Sequence, residues 1–139
     1  MIGEFLRRRG AAAVEFGLTT PVVVVLCMAT AEYGWYFHRL TRVANSTTEA
    51  ARFAITSPLV DVATDADSRV KYLLDSYGMD CVADLTCEIT STYTHDAANV
   101  DYLTLHVRVP HFPLTDMLPT PDYLAAEITM PTIMQDTGP

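Results

Sequence analysis

From Ala11 to Ala31 the chain runs 21 residues with one charged side chain, Glu15. As an α-helix rising ~1.5 Å per residue this stretch is about 31 Å long, close to the ~30 Å hydrocarbon core of a bilayer. The pattern predicts a membrane-spanning helix. Pro21 within it predicts a kink, which membrane helices tolerate. Tyr33, Trp35, Tyr36 and Phe37 follow at once, as an aromatic belt at the far interface should.

Beyond the span the apolar pattern becomes one-sided. Tyr33, Phe37, Leu40, Ala44, Thr47, Ala51 and Ala54 recur at steps of four and three, with Tyr36, Val43 and Ala50 on the shoulder of the stripe. His38, Arg39, Thr41, Arg42, Asn45, Ser46, Thr48, Glu49 and Arg52 take the other side. The helix therefore continues past the membrane to about Thr56, where Ser57-Pro58 ends it, because the residue before a proline disfavours helix. Two helices broken near Gly34 are the alternative.

A second helix fits Asp61 to Tyr77, with Val62, Ala66, Val70, Leu73 and Tyr77 on one face, Leu74 broadening it and Gly78 capping its end. The period then switches to two. Leu85, Cys87, Ile89, Ser91 and Tyr93 alternate with polar residues, Asp96–Asn99 reads as a turn, and Leu103, Leu105, Val107 and Val109 form a second alternating run closed by Pro110. Pro110–Pro121 reads as a loop anchored by Phe112, Leu114 and Leu118, and Leu124, Ala126, Ile128 and Met130 form a third strand. Three half-buried strands imply a small antiparallel sheet covered by the upper half of the long helix, with the second helix nearby. The expected fold class is α+β, with no internal repeat. Its parts are a basic leader over 1–10 that is not itself a folded element, a long helix over 11–56 that spans the membrane in 11–31, and an α+β domain over 57–139. The last residues, from 131, are expected to form a loose tail.

Charge sharpens the picture. The formal net charge is -8, yet the leader holds Arg7, Arg8 and Arg9 against Glu4, so the body is still more acidic. An acidic body argues against a nucleic-acid partner, which would want a basic patch. The arginine cluster places the N-terminus on the cytoplasmic side and the body outside, by the excess of positive charge on cytoplasmic flanks, although Arg39 and Arg42 beyond the span narrow that margin. Of the three cysteines, Cys27 lies within the span. Cys81 and Cys87 stand alone as a pair, a poor zinc signature. Outside the cytoplasm a disulfide between them is the better reading; inside, they are free thiols.

No enzyme, metal site or cofactor is expected. His106 and His111 lie on or beside an alternating strand, pointing to opposite faces as surface or interface histidines, and no acidic or cysteine ligand is spaced to complete a site. His38 and His95 stand apart from any such set. Asp61, Asp65 and Asp67 lack the glycine and terminal glutamate of a calcium loop and instead favour the start of the second helix through its dipole.

The remaining puzzle is Glu15, a carboxylate one turn inside the span, where burial in hydrocarbon costs several kcal/mol unless it finds a cation or reaches the headgroups. If a protease cut after Gly10, the new ammonium of Ala11 would lie at the membrane face about four residues from it. In a bundle, one subunit's ammonium would meet a neighbour's Glu15, an attraction of ~4 kcal/mol at 4 Å and an effective dielectric of 20, and one that fixes axial register.

The run Gly10-Ala11-Ala12-Ala13-Val14-Glu15-Phe16 resembles the processing site of type IV pilin-like proteins, with glutamate fifth and an aromatic sixth after the glycine. Continued through Pro21 to Glu32-Tyr33-Gly34, and with Ala50-Ala51-Arg52-Phe53-Ala54 and Pro110-His111-Phe112-Pro113-Leu114 further on, it more specifically resembles the TadE-like family, minor pilins or pseudopilins of the tight-adherence (Flp) pilus. Gly17 and the two threonines before Pro21 are more polar than that family's usual aliphatic run. The resemblance implies a pilin-like fold and cleavage between Gly10 and Ala11 by a prepilin peptidase of the bacterial cytoplasmic membrane. It gives Glu15 and Phe16 as the assembly and processing motif, and other pilin-like subunits and the pilus assembly machinery as partners. Two other outcomes stay open: a secreted domain released by cleavage after Ala31, following Ala29-Thr30-Ala31, or an uncleaved single-span anchor.

Overall fold

The computed structural model describes residues 2–56, 61–79, 81, 87–95 and 100–132, with side chains from Ala12 onward. Helix α1 is Ile2–Thr56 and α2 is Val62–Ser76; strands β1 Glu88–His95, β2 Asp101–Pro110 and β3 Tyr123–Thr132 follow. The architecture is α+β. Four expectations fall outside the described residues: the helix stop at Ser57-Pro58, the strand start at Leu85, the turn Asp96–Asn99 and the last part of the tail. Two compact units divide the chain, one made of Met1–Trp35 with Pro113–Thr120, the other of Tyr36–Phe112 with Pro121–Pro139.

In the first unit α1 starts at Ile2, so the backbone of the basic leader is helical rather than unfolded. Leu and Arg are good helix formers, and Pro21 is the first proline to intervene. The helix also passes through Gly34 without a break, so the alternative of two helices does not hold. From Val14 to Leu26 the large apolar side chains are exposed, Phe16 at 71% and Leu18 at 72%. The polarity of this stretch is masked locally. Thr19 Oγ1 donates to the Glu15 carbonyl at 3.1 Å, Thr20 Oγ1 to the Phe16 carbonyl at 2.6 Å and Thr30 Oγ1 to the Leu26 carbonyl at 2.8 Å. Hydroxyls bonded to their own helix leave an outer surface that lipid can meet.

In the second unit the three strands form an antiparallel sheet in the order β1-β2-β3. Leu103, Leu105, Val107 and Val109 of the central strand are buried and pair with Met130, Ile128, Ala126 and Leu124 of β3. Complete burial of each large aliphatic side chain stabilises by roughly 1.5–3 kcal/mol. β3 runs on through Pro131 to Thr132, where a loose tail was expected. Proline is tolerated there because, among the described residues, β3 is an edge strand of the sheet.

α1 contributes Val43, Ala50, Ala51 and Ala54 to the same buried cluster, with Tyr36 and Leu40 packed against it. The buried face is thus turned from the expected stripe. Phe37 and Ala44 are exposed, whereas Ser46, assigned to the polar side, is buried. The core side is centred on the shoulder residues Tyr36, Val43 and Ala50 instead, at the same steps of three and four.

α2 is closed at both ends. Asp61 caps its start, accepting from the Thr64 amide at 3.1 Å and the Thr64 hydroxyl at 2.6 Å, and these bonds hold its carboxyl below the usual carboxylate range. At the other end Gly78, at φ 71°, donates to the Asp75 carbonyl at 2.8 Å while the Met79 amide reaches the Leu74 carbonyl at 3.0 Å, the bond pair of a Schellman turn. Ala66, Val70, Leu73 and Leu74 are buried; Tyr77, placed on that face by periodicity, is exposed.

Candidate functional site

Gly10 and Ala11 lie within the helical backbone of α1. Glu15 and Phe16 are exposed on the same helix, about 7.5 Å further along its axis for the five residues from Gly10 to Glu15. Pro21 removes the amide that would have bonded the Gly17 carbonyl, and nothing lies within 4 Å of where a Gly17 side chain would begin. The motif therefore presents one carboxylate on an otherwise apolar, uncovered helical surface. Cys27 is a free thiol on that surface.

The best-built polar site in the first unit was not foreseen. Glu32, one residue past the apolar run, is fully buried at 0% exposure. Its Oε1 accepts from the Leu114 amide at 2.7 Å; its Oε2 accepts from the Thr115 amide at 2.9 Å and the Thr115 hydroxyl at 2.7 Å. Tyr33 adds a long bond from its hydroxyl to the Pro119 carbonyl, 3.4 Å. A buried carboxylate is tolerated only when its lone pairs are satisfied, and here the segment Pro113–Thr120 supplies the donors. Of the three apolar anchors expected in the Pro110–Pro121 loop, Phe112 and Leu114 are exposed, at 64% and 58%, and Leu118 is half-buried. In the sequence Glu32 stands only as part of the Glu32-Tyr33-Gly34 motif, and a loop more than eighty residues away leaves no local signal of the pairing.

In the second unit Cys81 and Cys87 are joined, with S–S 2.09 Å and Cα–Cα 5.4 Å. At the end of the sheet's inner rows Asp101 is buried, with His95 Nδ1 bonded to its Oδ1 and the Tyr93 hydroxyl donating to Oδ2 at 2.7 Å. These bonds, from His95 first, hold the Asp101 carboxyl below the usual carboxylate range. His95 thus has a partner that its sequence position did not reveal. His111 is likewise not a surface residue: it is buried, edge-on to the Tyr36 ring at 5.2 Å between centroids. Among the described residues, no three His, Cys, Asp or Glu side chains gather as a metal site would require.

A helix long and apolar enough to cross a membrane, joined in one chain to a small α+β body, defines a class: proteins compatible with a single N-terminal membrane anchor. In comparison with known families, residues 10–52 match the model of the TadE-like protein family. Over this segment, which holds the apolar helix and the start of its continuation, the chain is similar to TadE-like proteins. No curated protein and no solved structure matches the chain.

Proposed function

We propose that the chain is a minor pilin, or pseudopilin, of a tight-adherence pilus, cut after Gly10 by a prepilin peptidase and then built into, or used to prime, the filament. The observation that carries this reading is the exposed carboxylate of Glu15 on an uncovered apolar helix, five residues past the glycine at which the family match begins. Such a group needs a cation in an apolar setting, and the ammonium released at Ala11 of a neighbouring subunit supplies one. The N-terminus lies on the cytoplasmic side of the cytoplasmic membrane and the body outside, where a Cys81–Cys87 disulfide persists. The role is structural, in contact with other pilin-like subunits, and not catalytic.

Amino-terminal sequencing of protein recovered from membranes or sheared filaments tests the proposal. A start at Ala11 is expected; a start at Glu32 would mean a secreted domain, and a start at Met1 or Ile2 an uncleaved anchor. Gly10→Val should leave the protein full length, because a β-branched side chain obstructs a cleft shaped for glycine. Glu15→Val should be trimmed normally yet fail to assemble, and normal piliation with this variant would remove the ammonium–carboxylate contact from the account.

A further inference from the structure

We propose that the segment Pro113–Thr120 is a membrane-interface loop, whose Leu114 and Met117 side chains enter the headgroup–acyl boundary of the bilayer that α1 crosses. The proposal rests on the membrane-spanning reading of α1 and goes beyond it, since it concerns a second, non-helical contact with lipid.

The level of the loop follows from helix geometry. Side chains on a helix lean toward its N-terminus, so the Glu32 carboxylate lies over the last turn of the apolar run, not above it. Leu114 and Thr115 are bonded to that carboxylate through their amides, at 2.7 and 2.9 Å. The Tyr33–Pro119 bond ties the far end of the loop to the next residue of α1. The loop backbone is thereby held at the end of the span, beside Tyr33 and Trp35, each 41% exposed, where amphipathic rings favour the interface.

The chemistry of the loop suits that level. Leu114 and Met117 are 58% and 66% exposed, a cost in water that becomes a gain at an acyl boundary. The loop's acceptor for its own amides is a carboxylate shielded to 0% exposure, so Glu32 itself does not face lipid, and Asp116 is left as the exposed anionic group of the loop. The single charge of the segment, Asp116, sits at φ 54° between the two apolar residues. One negative charge and no cation fit a zwitterionic surface rather than an anionic one.

The test places an environment-sensitive fluorophore (NBD) on the full chain in phosphatidylcholine vesicles. One sample carries Met117→Cys with Cys27→Ala; a second carries the label on native Cys27. The Met117 label is expected to show a blue-shifted, brighter emission, quenching by lipids spin-labelled near the headgroup, and slow bleaching by aqueous dithionite. Glu32→Ala should reverse all three at Met117 and leave the Cys27 label quenched by deeply spin-labelled lipid. If the Met117 label bleaches at once and no lipid quenches it, while the Cys27 label stays lipid-quenched, the interface loop is refuted and the span stands. If neither label is quenched by lipid, the membrane reading fails and the loop proposal with it.

Discussion

Replacing Glu32 by alanine takes the acceptor from the Leu114 amide, the Thr115 amide and the Thr115 hydroxyl together. Hydrogen bonds to a charged group are worth roughly 1.5–3 kcal/mol each net. The three share one carboxylate and are not additive, so about 2–4 kcal/mol is expected for holding the segment Pro113–Thr120. At about 1.4 kcal/mol per factor of ten, amide exchange at Leu114 and Thr115 should accelerate by roughly 30- to 1,000-fold. Hydrogen exchange read residue by residue on the full chain in lipid nanodiscs measures this directly. The amide of Leu103 in the central strand serves as the internal reference and should keep its rate. Glu32→Gln, which retains one acceptor oxygen, should fall between the two. Unchanged exchange at Leu114 and Thr115 in Glu32→Ala would show that the carboxylate does not hold the loop.

Three further outcomes test the second unit. The depressed pKa of Asp101 means that its stabilising contribution is fully present above the ordinary carboxylate value of about 3.9 and is lost as pH falls through the lower folded value. Acid unfolding of the wild-type chain should therefore show a pH dependence in that range that Asp101→Asn flattens, and identical acid profiles would remove the His95–Asp101–Tyr93 cluster from the stability account. Opening the Cys81–Cys87 bridge by Cys87→Ser should cost about 2 kcal/mol in the chain-entropy model for so short a loop, read as a shift in the urea midpoint, while alkylation without reductant should leave both wild-type cysteines unlabelled. Leu105→Ala, at a fully buried position of the central strand, should cost about 2–5 kcal/mol; a loss below 1 kcal/mol would mean that the sheet's inner face is not packed as described.

Local periodicity determined the elements. The length and evenness of the apolar run fixed α1 as a membrane-length helix, the switch from a helical to an alternating pattern fixed the three strands, and Gly78 marked the end of α2, because each of these depends on neighbours a few residues apart. Hydrophobic alternation also identified the inner rows, Leu103 to Val109 and Leu124 to Met130, since one face of this sheet is packed on the core and the other is not.

Which groups meet across the chain was decided by tertiary structure alone. An amphipathic stripe gives a face to within a few tens of degrees, so Ser46 and Ala44 exchanged places when α1 docked on the sheet. His95 reads as an isolated residue and His111 as a surface or interface histidine until strand pairing brings Asp101 to one and folding brings Tyr36 to the other. Glu32 shows the limit most plainly. Its carboxylate can be buried only if donors arrive to satisfy it, and those donors are backbone amides, which every residue but proline carries and which no sequence pattern distinguishes. Sequence placed a charge at the end of the span; the return of Pro113–Thr120 to that point turned it into an anchor.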